Sequence, residues 1–522
     1  MAPGPMPRLA APGGRRYRFA MPLDPRTPIL VGAGQLTRRP TDIDDILPPV
    51  HLISEAARGA EQDAGAALLH RVDSVQVVDV MVWRPINSAL AVADALGIAP
   101  RETVTTTVGG NTPQTLVNEA AMDILAGRRD VVLIGGCEAV HSRRLAHKAG
   151  MHVEWNAQAE GTPPPDRTVG VDRSGLTDHE ASRGLLMPVQ VYPIFENAIR
   201  IAAGEPVEDH QVRVSEMWSR FSGVAARNPH AWDQRFHSPE EIRTVTPQNR
   251  MVGWPYPKLM NSNIQVDMAA ALLVTSVETA RAAGVPEDRW VFPWTGSDST
   301  DHWFVSDRWD LCSSPSIRAN GRSALGAVGM SIDDVAHIDL YSCFPSAVQM
   351  GAGALGLDAG DPSRPLTVTG GLSFGGGPGN NYVTGSIAAM AQALREDPGS
   401  IGLTTGLGWY ATKHSLGIWS TTPPAGPFSH HHPQAEIDAL PSRPSAADYT
   451  GPVTVESWTV LHERNGEPSL GIVAGLTPDG SRTWGNVRKP DALRELVDTD
   501  LAGASAHLGE AGELELDELQ LN

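Results

Sequence analysis

Residues 105–113, Thr-Thr-Thr-Val-Gly-Gly-Asn-Thr-Pro, constrain the fold more than any other stretch. A β-branched run, paired glycines and a proline predict a strand that breaks at a tight turn and enters a helix. Asn111 or Thr112 is placed to cap that helix, and Pro113 suits its first turn. Leu116, Ala120 and Ile124 recur at helical spacing, and after Gly127 the apolar run 131–139 predicts a second strand. Such a turn exposes one side chain next to helix N–H groups and the positive end of the helix dipole. Many α/β enzymes mount a nucleophile in that setting.

Similar units surround it. Residues 27–35 predict a strand ending in a glycine turn, 53–69 a helix and 75–82 a strand. From about 139 to 257 the pattern loosens into loops, with helices predicted at 188–203 and 208–226. A strand at 267–275 follows. The plan then repeats: a helix at 324–330, a strand at 338–344, a glycine-rich turn at 370–379, a helix at 384–394 and a strand at 401–405. Strands alternating with helices predict mainly parallel, helix-covered sheets.

Residues 423–444, rich in proline, read as a linker. They include His430, His431 and His432, whose side chains point in alternating directions in extended chain and so make a poor metal site. Strands at 453–461 and 470–475, with an Asn465-Gly466 turn between them, predict a small β region. The acidic tail from Gly509 reads as loose, and residues 1–26 as a disordered extension without an apolar signal core.

A length of 522 residues implies two or three domains. The net charge of −19 argues against nucleic-acid or anionic-membrane partners. A polyanionic ligand therefore needs a local basic patch, for which Arg143, Arg144, His147 and Lys148 are candidates. The three cysteines, Cys137, Cys312 and Cys343, lie far apart, which fits a reducing cytoplasm better than a disulfide framework or a zinc site. No apolar run reaches the roughly 18–20 residues that span a membrane.

The succession of glycine turn, helix, Ala126-Gly127, apolar strand and Gly135-Gly136 resembles the nucleophile segment of thiolases. Trp218-Ser219-Arg220, the run from Ala226 to His230, and Ser238-Pro239-Glu240-Glu241-Ile242 resemble the loop domain of the sterol-carrier type. The chain thus resembles a thiolase-like protein of type 1. The resemblance implies a duplicated α/β thiolase fold: an N-terminal half at 27–140, a loop domain at 141–257, the remainder with the second half at 258–425, and an OB-fold-like β domain within 426–522. It also implies coenzyme A or acyl-CoA as the ligand, bound by a homodimer or a monomer.

The same resemblance implies a cysteine acyl carrier, a histidine to activate it and a second cysteine as acid/base. Aligned on these motifs, the carrier position falls on Gly110. His-Asp-Cys-Phe becomes Tyr341-Ser342-Cys343-Phe344, Gly-His-Pro becomes Gly376-Gly377-Pro378, and Cys-x-Gly becomes Thr404-Thr405-Gly406. Gly110, Gly377 and Thr404 therefore lack the expected groups. Tyr341 and Cys343 remain as catalytic candidates; Asn111, Thr112, Gly376, Asn380, Asn381 and Tyr382 as substrate contacts; Arg143, Arg144, Lys148 and Arg220 as coenzyme A contacts. Steroid side-chain aldolases of thiolase fold also carry a tyrosine at the histidine position and work with an OB-fold partner. The leading reading is an acyl-CoA-binding protein without the condensing set, or a cysteine-independent retro-aldol enzyme acting on β-hydroxyacyl-CoA. Two alternatives stand beside it: an acyltransferase relocated to Cys343, and a non-catalytic scaffold. A free cysteine is also often a small buried hydrophobe, and Tyr341 reads equally as a ring packed over a vacated pocket.

Overall fold

In the computed structural model, residues 23–516 are described; the expected extension up to residue 22 and the end of the acidic tail, 517–522, lie outside them. The chain opens with β1 (Pro28–Arg38), α1 (Pro49–Ala64), β2 (Ser74–Val77), α2 (Ser88–Leu96), β3 (Glu102–Thr106), α3 (Thr112–Leu125) and β4 (Val131–Ala139). Then follow α4 (Val140–Lys148), β5 (Arg167–Val169), α5 (Asp178–Ser182), α6 (Pro188–Ala203), α7 (Val207–Ala225) and α8 (Pro239–Arg243). Next come β6 (Met251–Gly253), β7 (Tyr256–Pro257), β8 (Asp267–Ser276), α9 (Val277–Ala283) and β9 (Phe292–Thr300). The second half contains α10 (Pro315–Ala327), β10 (His337–Asp339), α11 (Pro345–Leu355), α12 (Tyr382–Glu396), β11 (Ile401–Gly408) and β12 (Lys413–Ser420). It is followed by β13 (Ser429–His431), α13 (Gln434–Asp438), β14 (Gly451–His462), β15 (Pro468–Leu476), β16 (Arg482–Val487), α14 (Pro490–Asp498), β17 (Ser505–Leu508) and β18 (Leu514–Leu516).

Two sheets carry the duplication. The first has the order β1-β8-β4-β2-β3-β5 and the second β10-β11-β12-β9-β13. Read from β1 and from β9, the series β1-β8-β4-β2 and β9-β12-β11-β10 match strand for strand. In both, the successive pairings are antiparallel, antiparallel and parallel. Helices α3 and α12 contact both sheets and form a middle layer, while α1 and α2 cover the first sheet and α10 packs on the second. The middle helices are buried along most of their length, α3 at Leu116, Val117, Ala120, Ala121 and Ile124 among others. This burial is what lets two glycine loops, at the N-termini of α3 and α12, meet at the centre of the molecule.

Several elements differ from the sequence expectation. Helix α10 spans 315–327 rather than 324–330, because Ser314 caps Ile317 N–H and Pro315 starts the helix earlier. The strand expected at 338–344 ends at Asp339, and residues 340–344 run on to α11 as a loop. Residues 423–444 are not an unstructured connection: β13 pairs in parallel with the edge of β9, and His430 bonds Asp298 at 2.5 Å. The tail is ordered to residue 516, since β18 pairs with β17. Short strand β5, which was not foreseen, lies along β3.

The C-terminal sheet, β16-β15-β14-β17-β18, is locked to the body rather than tethered to it. Leu461 of β14 pairs with Gly253 of β6, and the rings of Trp254 and Trp458 stack 5.7 Å apart. Arg482 is fully buried; it pairs with Glu456 and donates to the carbonyls of Val305, Ser306 and Arg308. Among the described residues no helix is long and apolar enough to cross a membrane.

Candidate functional site

The turn after β3 positions the candidate site. Gly109 has φ 158°, nearly extended, and its N–H donates to Asn380 Oδ1 at 2.9 Å, which ties the first glycine loop to the second. Asn380 Nδ2 in turn reaches Asp79 Oδ2 at 3.1 Å. Asn381 Nδ2 donates to the Gly136 carbonyl at 2.6 Å, and its Oδ1 accepts from Thr384. Asn111 occupies the N-cap position of α3 but makes no capping bond. Its buried Oδ1 has no partner. Thr112 Oγ1 donates to the Gly109 carbonyl at 2.8 Å, closing the turn rather than standing free. Among the described residues, no acceptor takes the N–H of Gly110 or of Asn111.

Tyr341 fills the space beside Gly110. A Cβ on Gly110 would collide with the Tyr341 hydroxyl and stand 2.6 Å from the Leu407 carbonyl, so the niche for a nucleophilic side chain is occupied. Burial, and then the nearby Cys343, push the Tyr341 phenol up from its usual value, so it is a neutral donor at physiological pH. Burial likewise drives the Cys343 thiol to about 12, although Tyr192 opposes the shift. Cys137 is fully buried, and burial raises its thiol well above the ordinary value. A thiol in that state is a poor nucleophile.

The second glycine position is also filled. A Cβ at Gly377 would stand 2.5 Å from Ser262 Oγ and 3.2 Å from the Asn263 carbonyl, leaving no room for an imidazole. Thr404 is one step removed from the turn. Its hydroxyl donates to Gln114 Oε1 at 2.7 Å and accepts from Trp419 Nε1 at 2.8 Å. The residue of β11 that faces the turn is Gly406, where a Cβ would lie 2.8 Å from Asn111 Cα. Both residues lie on the face of β11 turned toward α3, but Thr404 meets that helix one turn further along, a distinction invisible in the linear motif.

Gly376, Asn381 and Tyr382 line one small cavity of about 30 Å³ together with Gln35, Asn228 and His230. The Tyr382 ring meets Tyr341 edge-on, centroids 5.4 Å apart, and its hydroxyl bonds Thr369 Oγ1 at 2.6 Å and Asp339 Oδ2 at 3.0 Å. His230, contributed by the loop insert, lines this cavity beside the second glycine loop; burial lowers its pKa and keeps it neutral. A wider cavity of about 420 Å³, lined by Arg289, Gln392 and Arg395 among others, shares Gln35 and His230 with the smaller one. Neither cavity includes Arg143, Arg144 or Lys148, which project from α4 into solvent, nor Arg220, which donates to the Ala359 carbonyl at 2.6 Å.

Two charged residues near the turn were not anticipated. Lys413, at the start of β12, is 3% exposed and donates to the Val108 carbonyl at 2.5 Å. Burial lowers its ammonium to about 8. Glu138, at the end of β4, accepts from Met81 N–H at 2.7 Å with one oxygen and has no partner for the other. Burial raises its carboxyl to about 8. Neither residue lies in a recognisable motif; only the ends of the strands that carry them mark these positions.

The paired sheets, the helices between them and the two glycine loops define a protein of the thiolase fold. A solved thiolase, Acat5 from Ascaris suum in complex with coenzyme A, shares that fold at 14% identity and a TM-score of 0.54, covering 76% of this chain and 99% of its own. The Ltp2-ChsH2(DUF35) aldolase does so at 21% identity and a TM-score of 0.56, covering 76% of this chain and 98% of its own. Residues 433–513 match the thiolase-like protein type 1 additional C-terminal domain. A monomeric SCP2-thiolase like protein type 1 from Mycobacterium smegmatis is 34% identical over 95% of this chain and all of its own, with a TM-score of 0.81. The chain therefore belongs to the SCP2-thiolase-like proteins of type 1. No curated protein sequence matches it significantly.

Proposed function

We propose that this protein binds an acyl thioester of coenzyme A at the Gly109–Gly110 turn and, where it acts on that ligand, cleaves a carbon–carbon bond without a cysteine carrier. The observation that carries this reading is the Tyr341 hydroxyl in the niche beside Gly110, which leaves no site for a thiol. A neutral phenol and two unpaired N–H groups at the head of α3 are suited to hold the oxygen of a thioester or its enolate.

For a β-hydroxyacyl thioester the chemistry is a retro-aldol step. A base takes the hydroxyl proton, the Cα–Cβ bond breaks to give an aldehyde or ketone, and the thioester enolate is protonated at Cα. His230, neutral and lining a cavity together with Tyr382, whose ring meets Tyr341, is the group suited to accept the first proton. Tyr341, held protonated, is suited to donate rather than to act as the base. Arg143, Arg144 and Lys148 on α4 are proposed for the phosphates of the coenzyme, with Arg220 a more distant member. The Ascaris thiolase, solved with coenzyme A, supports the ligand class. The monomeric Mycobacterium relative, and the coverage of β3 by β5, support a protein that acts as a single chain.

Purified protein incubated with acetyl-CoA, and with acetoacetyl-CoA plus coenzyme A, is expected to turn over neither at thiolase rates. A β-hydroxyacyl-CoA is expected to be bound and cleaved, and Tyr341→Phe to abolish cleavage with binding nearly intact. Thioester exchange at thiolase rates would return Cys343 to consideration. Binding without cleavage favours the purely ligand-holding version, which the internal bonding of Thr112, Asn380, Asn381 and Tyr382 also supports.

A further inference from the structure

Lys413 is an unusual residue to find behind a glycine turn. It is 3% exposed, and no carboxylate of the described residues forms an ion pair with it; Asp172 acts on it only at longer range. Its one hydrogen bond goes to the Val108 carbonyl, and its Nζ lies 5.9 Å from the centroid of the Trp303 ring. A Cβ on Gly109 would be 3.1 Å from Nζ and 2.6 Å from Asn111 Oδ1, so the ammonium and the orphaned amide oxygen flank the same glycine. A buried cation without a counter-charge costs several kcal/mol unless something offsets it, on the order of the penalty for an unpaired ion.

The bond to Val108 has a direction. The peptide between Val108 and Gly109 accepts the ammonium at its oxygen and, through the Gly109 N–H, donates to Asn380, whose own amide reaches Asp79. Positive charge is thereby set against the turn whose next two N–H groups, of Gly110 and Asn111, are unpaired.

We propose that Lys413 is the electrostatic positioning residue of the turn: its ammonium, fixed on the Val108 carbonyl, favours the binding of a thioester or enolate oxygen by the N–H groups of Gly110 and Asn111. The inference rests on the acyl-thioester reading above and adds the group that supplies the charge. Lys413 does not touch the ligand; it acts through the turn. Burial brings its ammonium to about 8, so the favourable charge is present at neutral pH and is lost as pH rises through that value. The charged groups near it are Asp172 and Arg173, the latter stacked on Trp303 at 5.1 Å; Tyr341 and Cys343 are held protonated throughout this range. Glu138, whose carboxyl burial raises to about 8, bonds Met81 N–H and is retained in both variants below.

Calorimetric titration with acetyl-CoA between pH 6.5 and pH 9.5 tests this, all pH values chosen to bracket the roughly pH 8 midpoint. In the unaltered protein, affinity is expected to fall with a midpoint near pH 8. Lys413→Met is expected to bind about ten-fold more weakly at pH 7 and to lose the fall, a change of about 1.4 kcal/mol. Lys413→Arg, charged at every pH used, is expected to recover much of the neutral-pH affinity and also to lose the fall. Because either variant can misfold, trace acetylation of amines in the unaltered protein provides a second reading. Bound acetyl-CoA should move the reactivity midpoint of Lys413 upward. Tight binding with no pH step, and no shift of the Lys413 midpoint, would overturn the role of Lys413 and leave the acyl-thioester reading standing. Failure of the unaltered protein to bind acetyl-CoA at any pH would overturn both.

Discussion

The hydroxyl of Tyr341 occupies the position that a side chain on Gly110 would need, although 231 residues separate the two in sequence, the difference between 341 and 110. Each residue permits the other. A phenol fits because the turn has no Cβ, and the turn needs no Cβ because the phenol fills the space.

Gly110→Ala should therefore destabilise the protein by about 1–3 kcal/mol, the usual cost of forcing volume into a packed interior. Adding Tyr341→Ala should recover only part of that loss, because the Leu407 carbonyl, 2.6 Å from the new methyl, is main chain and cannot withdraw. Chemical denaturation of the two single variants and the double variant measures the coupling.

Thiol labelling should be slow. Cys343, held at about 12, and Cys137, raised well above its ordinary value by burial, are expected to resist iodoacetamide at pH 8 in the folded protein, whereas all three cysteines react in denaturant. Mass spectrometry of intact protein counts the labels. Rapid single labelling at Cys343 would contradict the packing described above.

Glu138 should make stability depend on pH. Its folded-state carboxyl, raised to about 8 by burial, lies above the unfolded value of 4.5, so the native state holds the proton more tightly. That contribution is fully present below about pH 4.5 and is lost as pH rises through 8, amounting in total to about 3–5 kcal/mol. Glu138→Gln keeps an acceptor for Met81 N–H and should flatten the slope across this window. Urea midpoints at several pH values provide the comparison.

Arg482→Met should cost about 3–5 kcal/mol, because it strands the Glu456 carboxylate and four main-chain carbonyls. Pairing it with Glu456→Gln should recover part of the loss. Protease mapping should find the first new cuts around residues 305–309, where the guanidinium now holds the chain.

Much of the fold was legible because it is written locally. Helix α6 begins at Pro188 and ends before Gly204 as expected, since a proline in the first turn and a left-handed glycine after the last are strong local signals. The strand of β8 likewise stands out as an unbroken apolar run ending in Ser276. The site was less legible, because its contacts are long-range. The glycine at position 110 marked the missing thiol, and a Tyr341 ring packed over the vacated pocket stood as one of two readings, but only the long-range geometry sets its hydroxyl against Gly110. Lys413 sits in a stretch with no motif, and its significance comes from the Val108 carbonyl, 305 residues earlier. Prolines in 423–444 hid β13, since pairing with β9 outweighs local composition there.

Strand β5 has a consequence for how the molecule meets others of its kind. By lying along β3 it satisfies from within the same polypeptide the hydrogen-bonding groups that an open flank would offer to a neighbour. A second copy finds no vacant ladder against β3; the strand presented on that flank is the three-residue β5.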